Sequence, residues 1–533
     1  MCDHDSNQNR KFGTSAHDEE HKKWNRRSFV QALGLSGAGT MMLGGMPLSA
    51  SSNSKLAAAI SNSETDRVLV IIRLKGGNDG LNTIVPIYDY DTYAINRPSI
   101  KHQLNQVTAL TPDFGIPNYM NDLLSLWDNG AMKVVHGVGY ENSSQSHFAG
   151  SDIWASTDPT NSSQTGWLGR HFEELYPDYL INPPTIPAAV QIGSIGNLIF
   201  DGDSSNYAFS VANPDQLESI AQSGVVHDMS SFPECIYGEQ LEFMRGTTNT
   251  TYQYAGTIHQ AYDDGTNNST YMDSDLGQQL SIVARLIKGN LGTKVYMVTL
   301  GSFDTHANQT DDHRDLLIDL SNSVKAFYED LAQGGFDDKV LSMTISEFGR
   351  RIYENGSSGT DHGNAGPLML FGPAIQGNGF VSQHPDLSDS SGNLEYTQDF
   401  REVYASIMQE WLCIDPDLVD EALLNNTYAR VDLGFNCSAL SVDDFNRDRF
   451  KHFVLYTDND SIIKIKNPYT QHTVIKLYDI MGRTIATLKN EMLFAGEHSI
   501  SIKNSISKKL SVGQYIYRIS VGNQNYSKSL IIR

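Results

Sequence analysis

Arg67-Val68-Leu69-Val70-Ile71-Ile72-Arg73-Leu74 runs directly into Lys75-Gly76-Gly77-Asn78-Asp79-Gly80-Leu81-Asn82, and this junction decides the fold. A half-exposed strand would alternate apolar and polar residues. A near-continuous aliphatic run fits a strand buried on both faces, as in the middle of an open α/β sheet. The run stops at two glycines and an Asn-Asp pair, which sets polar side chains at the carboxyl edge of the sheet, where such sheets hold ligands. Asn-Asp-Gly is equally turn chemistry that satisfies itself. The glycines do not form a dinucleotide-binding fingerprint, because the Gly-x-x-Gly entry into a helix is missing.

Three further strand ends carry chemistry. Met132-Lys133-Val134-Val135-His136-Gly137-Val138 leads to Ser146-His147-Phe148-Ala149-Gly150-Ser151-Asp152-Ile153-Trp154, read as a helix with Phe148, Ile153 and Trp154 available for the core. Ser146 and His147 fall in its first turn, where unpaired backbone N–H groups and the positive helix end favour an anionic ester. An N-cap serine beside a hydrogen-bonded histidine is the alternative. A helix from Leu276 to Lys288 precedes a strand from Lys294 to Leu300, which ends in Phe303-Asp304-Thr305-His306. Two residues apart in extended chain, Asp304 and His306 point to one side and can share a divalent cation. His313 opens the next helix, whose apolar positions are Leu316, Leu317, Leu320, Val324 and Phe327, and reads as a solvated or capping group. Finally a strand from Val340 to Ile345 meets Ser346-Glu347-Phe348-Gly349-Arg350-Arg351, and a Gly/Ser-rich loop leads to Thr360-Asp361-His362-Gly363. Asp361 and His362 reach one ligand only from a loop, and Gly363 lets the backbone come close to it. Glu347 and Arg350 pair with each other, or Glu347 steadies metal ligands from behind, as Asn78 would.

Composition bounds the function classes. The chain has 533 residues, 39 Lys+Arg against 62 Asp+Glu, and a net charge of -23. That field repels nucleic acid phosphates. With 39% hydrophobic and 10% aromatic residues the chain can pack a core, and four cysteines exclude a disulfide scaffold. Cys413 and Cys437 are free to pair in an oxidising compartment. The chain divides into 1–61, 62–450 and 455–533. The first part holds Asn25-Arg26-Arg27-Ser28-Phe29-Val30 before a Gly/Ala-rich, weakly apolar run, the pattern of a twin-arginine export signal. That run is too short and too glycine-rich for the ~20 residues of a membrane span, so no transmembrane segment is expected in the mature chain. The last part alternates with period two in short strands, the texture of a small all-β sandwich. Its Asn467-Pro468, Asp479-x-x-Gly482-Arg483, Gly513-x-Tyr515 and basic-ended final strand resemble the C-terminal sorting domain of type IX secretion. The resemblance implies passage through the periplasm to the cell surface or beyond, using both export machineries. An ordinary β accessory domain is the alternative.

Lys75–Thr83, Ser146–Trp154, Phe303–Asn308, Ser346–Arg351 and Thr360–Gly363 together resemble the bacterial domain-of-unknown-function 1501 family, itself similar to the alkaline phosphatase and sulfatase superfamily. The resemblance implies an α/β/α sandwich around a mixed, mostly parallel sheet, with metal ligands at strand ends. Carried over, Asp79, Asp304, His306, Asp361 and His362 hold one or two divalent ions, with zinc, calcium, magnesium and manganese not distinguished. Ser146, or His147, stands where relatives place the nucleophile, and Arg350 or Arg351 holds an equatorial oxygen. His384 is the loose candidate for a last ligand. The implied activity is hydrolysis of a phosphate or sulfate ester, on a small molecule or a polysaccharide, through attack by Ser146 or by a water the metal activates. Neither a Cys/Ser-x-Pro-x-Arg sulfatase signature nor a phosphatase Asp-Ser-Ala segment is present. A degenerate, non-catalytic surface or binding protein on the same scaffold is therefore the alternative. A two-carboxylate glycosidase finds no isolated acidic pair.

Overall fold

A computed structural model describes residues 66–532 apart from 178, 180–182, 194–195, 226, 230–231, 233–235, 376, 390, 438–450, 457–459, 468–470, 480–482, 495, 507–509, 512 and 522–523. The twin-arginine stretch lies outside the described residues. Contacts divide the chain after Asn436.

The larger unit is built on a nine-stranded sheet. Its strands are β1 (Val68–Leu74), β2 (Met132–Gly139), β3 (Ala189–Ile192), β4 (Ala208–Val211), β5 (Val295–Leu300), β6 (Val340–Ile345), β7 (Gly366–Phe371), β8 (Gly379–Val381) and β9 (Gln398–Asp399). The order is β8-β2-β7-β6-β1-β5-β3-β4, with β9 beside β2. As the aliphatic run requires, β1 is central, parallel to β5 on one side and to β6 on the other. Its alternate residues feed two cores. Val68, Val70, Ile72 and Leu74 face one, Leu69 and Ile71 the other. Helices α3 (Ile236–Asp264), α4 (Asp275–Lys288) and α5 (Gln309–Gly334) cover the first face, burying Leu280, Leu320, Val324 and Phe327. Helices α1 (His147–Ser156), α2 (Trp167–Leu175) and α6 (Phe400–Ser406) cover the second through Ile153, Trp154, Trp167 and Tyr404. The result is the expected three-layer α/β/α sandwich. Among the described residues, no helix is long and apolar enough to cross a membrane.

Two expectations are corrected here. Phe148 is not core but 86% exposed on the first turn of α1, while Ile153 and Trp154 do turn inward. His313 is neither solvated nor a cap. It is buried against Asn78, its Nε2 2.9 Å from Asn78 Oδ1, and burial pushes its imidazole down to about 4.

The smaller unit is a β-sandwich. One sheet orders β10 (Lys451–Tyr456), β11 (Ser461–Asn467) and β14 (Gly496–Ser501). The other orders β13 (Thr484–Leu493), β12 (Gln471–Asp479), β15 (Gly513–Val521) and β16 (Gln524–Ile532), all pairs being antiparallel. Ile463 and Ile465 from the first sheet pack with Ile475, Leu477, Tyr517 and Ile519 from the second. Cys413 and Cys437 are both disulfide-bonded.

Candidate metal centre

Strand direction gathers the chemistry on one edge. β7 alone runs antiparallel to its neighbours, β2 and β6, whereas β1, β2, β5 and β6 share a direction. The carboxyl ends of those four therefore lie on the edge where β7 begins. The whole connection from β6 to β7, residues 346–365, stays on that edge and delivers Glu347, Asp361 and His362 beside the loops after β1, β2 and β5.

The loops fit closely because glycine allows it. Gly76 and Gly77 after β1 have φ of +127° and +82°, a region other residues rarely adopt. A Cβ on Gly76 would lie 2.4 Å from the Asp304 nitrogen, and one on Gly77 2.3 Å from the Phe348 ring. Arg350 then ties three loops together. It donates Nε to Gly77 O (2.7 Å), Nη1 to Thr360 O (2.7 Å), and Nη2 to Gly76 O (2.5 Å), Phe303 O (3.0 Å) and Asp304 Oδ1 (2.7 Å). Every nitrogen of this buried guanidinium is engaged.

Around Asp304 stand three histidines, each held from behind. His362 Nδ1 lies 2.7 Å from Gln145 O, His147 Nδ1 3.0 Å from Glu347 Oε1, and His306 Nδ1 3.2 Å from Asp361 Oδ1. A carbonyl or carboxylate oxygen can only accept, so all three Nδ1 atoms carry the proton and the Nε2 lone pairs turn forward. They converge. His362 Nε2 and His306 Nε2 each lie 3.1 Å from Asp304 Oδ1 and 2.9 Å from each other. His147 Nε2, 3.3 Å from Asp304 Oδ2, is buried and forms no hydrogen bond. One ligand atom from each of His147, Asp304 and His362 lies within 4.8 Å of the others. Lone pairs facing one another and a carboxylate repel unless a cation sits among them, so this donor set fits a divalent ion. Burial pushes the Asp304 carboxyl up, but the hydrogen bond and charge of Arg350 outweigh it and hold it at about 2. Burial also pushes the His362 imidazole down, towards the neutral form a metal needs. The Asp304 and His306 side chains are 46% and 43% exposed, so the cluster opens to solvent.

Four of the five expected ligands come together here, Asp304, His306, Asp361 and His362, and the assignment changes in detail. Asp361 lies behind His306, and its carboxyl is held low by Asn355 and by His306. Asp79 forms a separate ion pair. Fully buried, it pairs through Oδ2 with Arg97 Nη1 at 2.6 Å and with Gln309 Nε2, while Oδ1 has no partner. The Arg97 guanidinium offsets the charge of this carboxylate. Asn78 supports the β1 loop, donating its backbone N–H to Ser346 Oγ and meeting His313 Nε2 through Oδ1. Arg350, 1% exposed, is too buried to meet a substrate oxygen and holds Asp304 instead. Arg351, half-buried, donates Nε to His362 O and Nη1 to Tyr353 Oη. Ser146 occupies the N-cap of α1 but is exposed, and its hydroxyl makes no capping bond. His147, expected as a nucleophile's stand-in, stands in the cluster with Asp304 and His362. His384 lies elsewhere, against Tyr88 and His136. The sequence reading passed over Gln145, Asn355, Arg97 and Gln309, which have no motif of their own.

The family model described as "Protein of unknown function (DUF1501)" matches residues 130–413. A model described as "Secretion system C-terminal sorting domain" matches residues 459–533, which implies a secreted or cell-surface protein. No curated protein matches the chain. Solved structures similar to it include a protein in the alkaline phosphatase superfamily from Vibrio parahaemolyticus, at 9% identity over 87% of this chain and 91% of that one, TM-score 0.28. Another is the PsFucS1 sulfatase from Pseudoalteromonas sp., at 10% identity over 83% and 85%, TM-score 0.28. A third is alkaline phosphatase from the Antarctic bacterium TAB5, at 9% identity over 59% and 94%, TM-score 0.24. TM-scores this low leave the chemistry of the site as the ground for a functional reading.

Proposed function

Because the chain belongs to the DUF1501 family, whose description names no activity, we propose one from the site itself: an exported, metal-dependent hydrolase of phosphate or sulfate esters. The carrying observation is the grouping of His147 and His362 with Asp304, and of His306 beside Asp304 and His362, each histidine backed through Nδ1. These four residues hold the ion. Three imidazoles and one carboxylate suit zinc or a similar transition metal better than magnesium or calcium, which take oxygen ligands. When bound, the ion acidifies a water and offsets charge on the ester. Glu347, Asp361 and the Gln145 carbonyl fix the tautomer and ring plane of each ligand. Arg350 holds Asp304 in place while the three loops stay together. Arg351 is the cation left to meet an ester oxygen, since one of its Nη atoms carries no bond. The N-terminus of α1, which starts at His147, adds its unpaired N–H groups on the same side. Water is the proposed nucleophile, because His147 Nδ1 faces Glu347, its Nε2 is given to the ion, and no base among the described residues bonds the Ser146 hydroxyl.

The test combines metal content with assays on phosphate and sulfate mono- and diesters. Wild type should hold one ion and turn over at least one ester class. Asp304→Ala should lose both, and Ser146→Ala should lose neither. The unassisted Ser146 also favours a second reading, a cation-binding surface protein without catalysis. Full metal occupancy with no turnover on any ester would select it.

A further inference from the structure

A cavity of about 190 Å³ opens where α2 packs against α7 (Pro416–Ala422), lined by Arg170, His171, Glu174, Leu418 and Glu421 among others. A buried imidazole ordinarily finds a hydrogen-bond partner. His171 is 9% exposed, yet neither ring nitrogen makes a hydrogen bond among the described residues, and neither is sealed from solvent. Its unmet nitrogens therefore open on the cavity that it lines. Burial pushes the imidazole down to about 4, so at neutral pH it carries no charge. Glu174 and Glu421 are exposed at the same cavity, and among the described residues they form no ion pair and no side-chain hydrogen bond. Burial, and then the charges of Glu174, Asp417 and Asp415, push the Glu421 carboxyl up, the sign of acidic groups gathered without a cation between them. Arg170, the cation in the wall, does not serve them. It gives Nε to Ala422 O at 2.8 Å, Nη1 to Thr165 O at 2.7 Å and Nη2 to Ser156 O at 2.8 Å. Glu173 spends one oxygen on Asp203 N and the other on Ser204 N.

What is left unmet is the lone pair of a neutral imidazole and two carboxylates, beside the apolar Leu418 and Ala422. An anion would be repelled by the carboxylates. A bare metal ion needs its ligand atoms close together, and among the described residues no three here lie within 4.8 Å of one another. A primary ammonium carries three N–H donors and no acceptor, which matches three acceptors spaced around a wider cavity. Leu418 and Ala422 then cover the methylenes next to its nitrogen, as long cationic side chains lay their stems along apolar surface. We propose that the groove between α2 and α7 binds a primary alkylammonium group, of a free amine or of a lysine side chain, on His171, Glu174 and Glu421. The site shares no residue with the metal centre, so it stands or falls apart from the hydrolase reading.

The experiment is saturation-transfer NMR on the full chain at constant ionic strength, with n-butylammonium, N-acetyl-lysine methylamide and tetramethylammonium as probes. Transfer to at least one of the two primary amines is expected. Binding of n-butylammonium would assign the site to a free amine, and binding of the lysine derivative alone to a lysine side chain of a partner. Tetramethylammonium has the same charge and no N–H, so it should neither receive transfer nor displace the amines. Glu421→Gln should weaken amine binding about tenfold or more, the loss expected when the charged partner of a hydrogen bond goes. His171→Leu should weaken it as well while melting at or above wild type, because it exchanges an unmet buried polar group for an apolar one. Should His171→Leu melt lower, Glu174→Gln, at an exposed position, carries the test with the loss expected of Glu421→Gln. No transfer to either primary amine would overturn the proposal, as would affinity unchanged in Glu421→Gln and Glu174→Gln. Displacement of the amines by tetramethylammonium would also overturn it and mark an attraction of charge alone.

Discussion

Asp79→Asn separates a metal ligand from a structural ion pair. The substitution keeps the shape of the side chain and removes its charge. Arg97 and Asp79 are both completely buried and 2.6 Å apart. Arg97 also donates to Asn82 Oδ1 and to the carbonyls of Ile352 and Arg351, so it cannot leave with its partner. An uncompensated guanidinium then stays in the interior, which costs roughly 3–5 kcal/mol. At about 2 °C per kcal/mol for a large domain, melting should fall by roughly 6–10 °C. Acid behaviour supplies a second reading of the same pair. Burial pushes the Asp79 carboxyl up, but Arg97, with help from His313 and Gln309, outweighs it and holds the carboxyl below its ordinary value. A depressed folded pKa gives stability that is present above about pH 4 and lost as pH falls through the folded value. Wild type should therefore destabilise more steeply below pH 4 than Asp79→Asn. The assay is thermal melting of chelator-treated protein from pH 3 to 7, with metal titration at pH 7. Metal affinity should stay within about threefold of wild type, since Asp79 bonds none of the four ligands. Loss of metal with unchanged melting of the metal-free protein would refute this assignment and return Asp79 to the ligand set.

Other substitutions test other parts of the site. Glu347→Gln keeps an oxygen for Gly76 N but weakens the backing of His147, so metal affinity should fall about 10–100-fold by calorimetry; no change would mean that His147 is not a ligand. Arg350→Met removes the donor shared by the β1, β5 and 346–365 loops and should cost several kcal/mol in denaturant melts. A loss below about 1 kcal/mol would show that the loops hold themselves. Ser146→Ala should leave ester turnover within about twofold, and abolished turnover with intact metal content would make the serine the nucleophile. Asp158 is held well below the ordinary range, where hydrogen bonds from Thr160, Ser162 and Ser163 outweigh burial. Its contribution is present above about pH 4 and lost on acidification, so Asp158→Asn should flatten the acid limb of the stability curve.

The sheet was legible because its central strand is aliphatic on both faces, and the strand ends were legible because Asx, His and Gly cluster directly after aliphatic runs. Asp304 with His306 and Asp361 with His362 were readable as pairs for the same reason. Which atom faces the ion was not. That depends on what stands behind each ring, and Gln145 lies 217 residues from His362, Glu347 200 from His147. The pairing of Asp79 was not legible either, because its partner Arg97, 18 residues on, sits in no motif. Phe148 misled because apolar character alone cannot say which side of a short helix faces water.

The central claim is that one cation is held by His147, His306, His362 and Asp304. Anomalous diffraction from crystals of the zinc-loaded protein tests it most directly. The account predicts a single strong peak on the open edge of the sheet, about 2.0–2.2 Å from three Nε2 atoms and an Asp304 oxygen. No peak there, or a peak bonded to Asp79 or to Asp361 in place of a histidine, would contradict it.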